Sequence, residues 1–180
     1  SEAMAGVINI ITKNPSYEPR LSVDLMGTSH GESFGNISLA KKGKLAHGFV
    51  GINYAYINDF DDDNNDGFGD NVNLDRLSLF SKWDIKRKSK KDFTIGAKYY
   101  YEDRRNGVEE YISKRAYRAL RGSDSVYGES IYTNRLELFG KYEFSESLNL
   151  QYSFSHHYQN SYYGSDLYVA SQQTGFLNFI

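Results

Sequence analysis

Apolar and polar residues alternate along this chain, segment after segment. Leu21, Val23 and Leu25 oppose Ser22, Asp24 and Thr28, and Ile37 and Leu39 oppose Asn36 and Ser38. Val50, Ile52, Tyr54 and Tyr56 form one face of a third segment. Leu77, Leu79, Trp83 and Ile85 oppose Arg76, Ser78, Lys82 and Asp84, and the run Phe93 to Tyr101 sets Ile95, Ala97 and Tyr99 against Thr94 and Lys98. Leu136 and Leu138 oppose Arg135 and Glu137; Leu148, Leu150, Tyr152 and Phe154 oppose Asn149, Gln151 and Ser153. Gly175, Leu177 and Phe179 begin a last run. A period of two predicts antiparallel β-strands, about eight of them, each with one apolar and one polar face.

The connections alternate too. Counted from His30-Gly31, the odd ones are long (59–70, 104–129 and 158–171) and the even ones short (41–44, 86–91 and 145–147). Segments 71–85 and 130–144 exceed the roughly 5–6 residues usual for soluble sheets. A tilted transmembrane strand needs about 9–11 residues, and short turns at one end with long loops at the other mark an outer-membrane barrel. Lipid leaves no partner for an open sheet edge, so such a sheet must close. The predicted class is all-β: part of a transmembrane antiparallel barrel.

Composition agrees with this pattern more than it decides it. Only 39% of residues are hydrophobic, which suits strands that turn every second side chain toward a polar interior. Sixteen Tyr and eleven Phe against one Trp favour strands and membrane boundaries. The absence of Cys excludes thiolate metal sites and cysteine nucleophiles, and a net charge of −2 gives no global attraction for nucleic acid. No signal peptide is visible and Ser1 stands inside a motif, so the chain reads as an internal piece of a longer exported protein.

That motif is the run Ala5-Gly6-Val7-Ile8-Asn9-Ile10-Ile11-Thr12-Lys13, rich in β-branched residues and stopped by Pro15. It resembles the last segment of the plug domain in TonB-dependent outer-membrane receptors, where such a run leads into the first barrel strand. The resemblance implies residues 1–17 as the end of a plug and 18–180 as the first part of a plugged 22-stranded barrel. It further implies a Gram-negative outer-membrane location, contact with lipid and lipopolysaccharide, and uptake of a small scarce nutrient. Ferric siderophores, haem, cobalamin and glycans are the candidate classes. Energy would come from the TonB complex, acting through a region outside this chain. The rival readings are a self-contained eight-stranded barrel with a structural or adhesive role, and a soluble calcium-dependent β-sandwich adhesin.

Four groups of residues carry candidate chemistry. In the loop 59–70, Asp62, Asn64 and Asp66 alternate before Gly67, Phe68 offers a carbonyl and Asp70 a further carboxylate, which matches half of a calcium loop. Asn73 stands where the bidentate Glu would be, and the same residues also suit a solvated turn. In the loop 104–129, Arg115, Arg118 and Tyr117 are candidates to meet an anionic ligand or lipopolysaccharide phosphates, while Glu109, Glu110 and Asp124 suit a mixed-charge surface loop. His156-His157 is expected to end a strand at the outer rim, with His157 beside Tyr158 as a candidate contact for haem or an iron chelate. The basic run Lys86-Arg87-Lys88-Ser89-Lys90-Lys91 lacks interleaved aromatics and reads as a solvated turn, without nucleic acid as a partner. No nucleophile motif or carboxylate–histidine pair stands at telling spacing, and an enzyme is not expected. No resident cofactor beyond calcium is implied.

Overall fold

The computed structural model describes residues 17–180. The plug-like run 1–16 lies outside the described residues. Eight strands follow in order: β1 (Leu21–Gly27), β2 (Ser33–Lys42), β3 (Ala46–Ile57), β4 (Asn73–Ile85), β5 (Phe93–Gly107), β6 (Gly128–Ser145), β7 (Leu148–Tyr163) and β8 (Asp166–Phe179). Each pairs antiparallel with the next, giving one meander sheet in sequence order. The sheet is not closed, for β1 and β8 are its two edges.

Register carries the alternation across the sheet. Leu39 pairs with Val50, Val50 with Ser81, Ser81 with Ala97, Ala97 with Leu138 and Leu138 with Phe154. One row higher, Ile37, Ile52, Leu79, Tyr99 and Leu136 stand in line. Cross-strand partners share a face, so the apolar residues of all eight strands form one continuous surface. That surface is bare over most of its area. Leu25 is 78% exposed and Leu177 70%, with Leu39, Ile52 and Leu138 also exposed. A sheet normally buries its apolar face against a second layer. Among the described residues no second layer covers this one; the buried hydrophobic side chains other than Ala40, Ala55 and Leu74 belong to a single connection between β5 and β6.

The opposite face is polar, with one interruption. Ion pairs run along it: Arg76 and Arg104 flank Glu102, and Lys98 and Arg135 flank Glu137. Beside the Lys98–Glu137 pair and toward the short turns lie three rings, Phe49, Phe80 and Phe139, with centroids 6.1 and 6.0 Å apart. Phe139 lies over Gly96, its pairing partner, where a Cβ would strike the ring. Aromatic cover of a strand glycine restores packing that the missing side chain forfeits.

The even connections 43–45, 86–92 and 146–147 are short, as expected, and define a turn end. At the loop end, 58–72 and 108–127 are long. The third predicted long loop, 158–171, is a correction. Strand β7 runs on to Tyr163 and β8 starts at Asp166, joined through Gly164-Ser165. Gly164 has φ +59°, the left-handed backbone a two-residue hairpin needs. The stretch reads as a loop because Gln159, Asn160 and Ser161 put polar residues on both faces beside Gly164-Ser165, but backbone pairing requires no alternation of side chains. His157 is therefore inside β7 rather than at its end. The predicted loop 104–129 is also shorter, because Arg104 and Arg105 belong to β5.

Candidate functional site

The chemistry of the molecule concentrates where its two long connections meet. Residues 108–127 form a strap made of α1 (Glu109–Ile112), a 3-10 turn (Ser113–Arg115) and α2 (Tyr117–Leu120). Lys114 and Arg115 have φ of 52° and 58°, and this left-handed pair reverses the chain between the helices. The reversal turns Tyr111, Ile112 and Tyr117 inward, where they pack with Phe60, Leu120, Val126 and Tyr132. Phe60 comes from 58–72, so the two connections share one small core. Their backbones also join. Gly69 N–H donates to the Gly107 carbonyl at 3.0 Å, Asn106 Nδ2 donates to the Gly69 carbonyl at 2.7 Å, and Phe68 bridges to Val108.

Beneath the strap the apolar face changes character. Two residues beyond Tyr101 on β5 stands Asp103, and two beyond that Arg105, paired in register with Asp75 and Asn73 of β4. Arg105 is fully buried. Its Nη1 donates to Asp75 Oδ2 at 3.0 Å and to the Asp103 carbonyl at 3.3 Å, and its Nη2 to Asn58 Oδ1 at 3.1 Å. The guanidinium lies 4.7 Å from the centre of the Tyr117 ring. A buried cation persists only when paired and hydrogen-bonded, and here every partner but one comes from the sheet or its loops. The Tyr117 hydroxyl closes the arrangement by donating to Asp103 Oδ2 at 2.7 Å. Burial pushes that phenol up to about 12, with Arg118 pulling against it and the Asp103 carboxylate adding to it.

Arg121 fastens the far end of the strap. Its Nε donates to Ser130 Oγ at 2.6 Å and its Nη2 to Asn160 Oδ1 at 2.8 Å, with the guanidinium 3.7 Å above the Tyr132 ring. Neither Arg105 nor Arg121 is among the sequence-predicted site residues, although both fall within the expected loop 104–129. The signal was present at Arg105, since continuing the alternation of β5 past Tyr101 puts Asp103 and Arg105 on the apolar face.

The predicted site residues separate into three places. Asp62, Asn64, Asp66, Phe68 and Asp70 do lie together in 58–72. Their oxygens are engaged with backbone donors. Asp66 N–H donates to Asp62 Oδ1 at 3.1 Å and Asn64 Oδ1 at 2.8 Å, Gly67 N–H to Asp62 Oδ2 at 2.9 Å, and Phe68 N–H to Asp66 Oδ1 at 2.8 Å. Asp63 N–H donates to Asp70 Oδ2 at 2.9 Å. Among the described residues no group of three or more His, Cys, Asp or Glu is gathered to hold a metal ion. On the strap, Tyr117 is fully buried and therefore a structural tie in this conformation. Arg115 Nη2 donates to the Tyr56 hydroxyl at 3.3 Å, and Arg118 Nε to the Tyr117 hydroxyl at 3.4 Å. His157 stands apart from both groups. It pairs with Arg135 and Gln172 on the polar face, and its Nδ1 is buried without a partner. Tyr158 points to the other face by strand alternation.

The arrangement as a whole can present charge and aromatic surface at one end of a sheet. In comparison with known proteins, no family model, curated protein or solved structure matches this chain.

Proposed function

We propose that this sheet is a section of the wall of an outer-membrane β-barrel, in a receptor that imports a scarce nutrient under the control of TonB. The single observation that carries the reading is the uncovered apolar face. Eight meandering strands expose it continuously, while the reverse face carries ion pairs. In water an exposed apolar surface of that extent is a liability; in lipid it is what a barrel wall requires. Strands of 13 to 18 residues from β4 to β8 exceed the roughly 9–11 needed to cross when tilted. The surplus supports projection beyond the membrane, at the end where the strap sits.

In this reading the turn end is periplasmic, the loop end extracellular, and the ion-paired face lines the lumen. The strap and the acidic loop meet the ligand first, because loops held on a rigid scaffold carry recognition. Arg115 and Arg118, more exposed than Tyr117, supply its cationic contacts. The plug-like run at 5–13 supports an occluded barrel that needs an external pull. A self-contained eight-stranded barrel is favoured less, since it requires β1 to pair with β8, and they do not.

Uptake tests this directly. Cells expressing the parent protein should bind ligand with or without TonB and accumulate it only with TonB. Equal accumulation without TonB would replace the receptor by a passive channel or a structural barrel.

A further inference from the structure

The two ends of the sheet carry opposite charge. Connections at the turn end hold Lys44, Lys86, Arg87, Lys88, Lys90 and Lys91 against Asp92 and Glu146. Those at the loop end hold ten acidic and four basic side chains. At the basic end lies a cleft of about 500 Å³ between His47 on β3, Asp84 on β4 and the 86–92 turn.

The cleft's own acids, Asp84 and Asp92, offset only part of its charge, against Lys86, Arg87, Lys90 and Lys91. Asp84 Oδ1 accepts the Thr94 hydroxyl at 2.8 Å, and Asp92 pairs with Lys141 at 3.2 Å. Two of the bases are held in place without losing charge. Arg87 Nη1 donates to the Glu143 carbonyl at 2.5 Å, with its guanidinium 4.2 Å from the centre of the Tyr142 ring, and Lys91 Nζ donates to the Phe144 carbonyl at 2.9 Å. Carbonyls and rings position a cation but leave its field intact. Lys86 and Lys90, which line the cleft, are exposed and make no ion pair among the described residues. On the cleft wall, His47 Nδ1 is buried with no hydrogen-bond partner.

We propose that this cleft binds a phosphate group. A phosphate brings up to two negative charges and several strong acceptor oxygens, which matches a cleft lined by four bases and only two acids. A singly charged carboxylate would leave most of this field unmatched. The same chemistry is offered by an anionic phospholipid headgroup and by a soluble phosphate ester. The inference stands on the cleft alone, and its failure would leave the transport reading untouched.

The test uses the full chain folded in nonionic detergent, with Trp83, the single tryptophan and the neighbour of Asp84, as fluorescent reporter. Pyrophosphate, and separately phosphatidylglycerol in mixed micelles, are titrated at constant ionic strength. At least one should bind saturably. The triple variant Lys86→Gln/Lys90→Asn/Lys91→Gln should weaken that binding about tenfold or more, as loss of charged hydrogen bonds implies. Asn at 90 is chosen because Lys90 has φ 58°, which Asn tolerates. Lys86→Gln alone should weaken binding in the same direction, and Lys114→Gln at the opposite end should not. Binding of phosphatidylglycerol only identifies the headgroup as source, and binding of pyrophosphate only a soluble ester. No binding of either, or equal binding by the triple variant, overturns the proposal.

Discussion

The hydroxyl of Tyr117 donates to Asp103 Oδ2 at 2.7 Å, so a residue of the strap is tied to the end of a strand fourteen positions earlier in the chain. Tyr117→Phe keeps the ring against Arg105 and removes this bond together with the longer one that the hydroxyl accepts from Arg118 at 3.4 Å. Asp103 Oδ1 is already buried without a partner, so the variant leaves both carboxylate oxygens short of donors. Such a loss costs about 1–3 kcal/mol. Hydrogen exchange should speed up across 108–127 while the ladders of β2 to β4 keep their protection. Unchanged exchange in the strap would show that its aromatic core holds it alone.

The same phenol makes the strap sensitive to alkali. Its value lies at about 12, above the ordinary value of 10, so the neutral hydroxyl is favoured in the folded state. The stabilisation is complete below pH 10 and is lost as pH rises through about 12. Tyrosinate absorbance of the wild type, less that of Tyr117→Phe, should show a group titrating late in that window. A difference centred at the ordinary value would contradict the burial and the bond to Asp103.

In the acidic loop, Asp62 accepts N–H groups from both Asp66 and Gly67. Asp62→Ala should loosen 58–72 by about 0.5–2 kcal/mol, comparable to removing a helix cap. Because these bonds already close the loop, its backbone should be ordered without calcium. Loop order in the wild type that depends on calcium, and fails in Asp62→Ala/Asp66→Ala, would support the calcium loop.

The apolar face predicts a depth-dependent cost. Lysine at Leu79 or Leu138, near the middle of the band, should destabilise the protein in lipid by about 2–4 kcal/mol. Changes at Lys98 or Glu137 on the reverse face should be mild. Denaturant titration in bilayers separates the two sets. Equal tolerance on both faces would remove the lipid assignment.

How much of this was legible in the sequence follows from what each residue faces. Leu77, Leu79, Leu136 and Leu138 were readable because one side of their strands is apolar and the other polar. The same rule failed at Gln159, Asn160 and Ser161, where β7 continues with polar residues on both faces and only the backbone ladder defines it. Phe49, Phe80 and Phe139 escaped because each reads as an isolated exception until register aligns them. The candidate site was legible as a collection of types and not as an arrangement. Arg115, Tyr117 and Arg118 were picked from composition, but which of them is buried depends on a chain reversal at Lys114 and Arg115. Arg105 was hidden by placing the end of β5 too early.

The central claim, that the apolar face meets lipid and the ion-paired face does not, is tested most directly by labelling. The chain has no cysteine, so single-cysteine variants report one position each. Thiol labels at 77, 78, 79, 136, 137 and 138, in protein reconstituted into liposomes, would be challenged with a lipid-borne quencher and a water-borne one. The account predicts strict alternation: 77, 79, 136 and 138 quenched from lipid, 78 and 137 from water. Quenching from water at all six positions would contradict it.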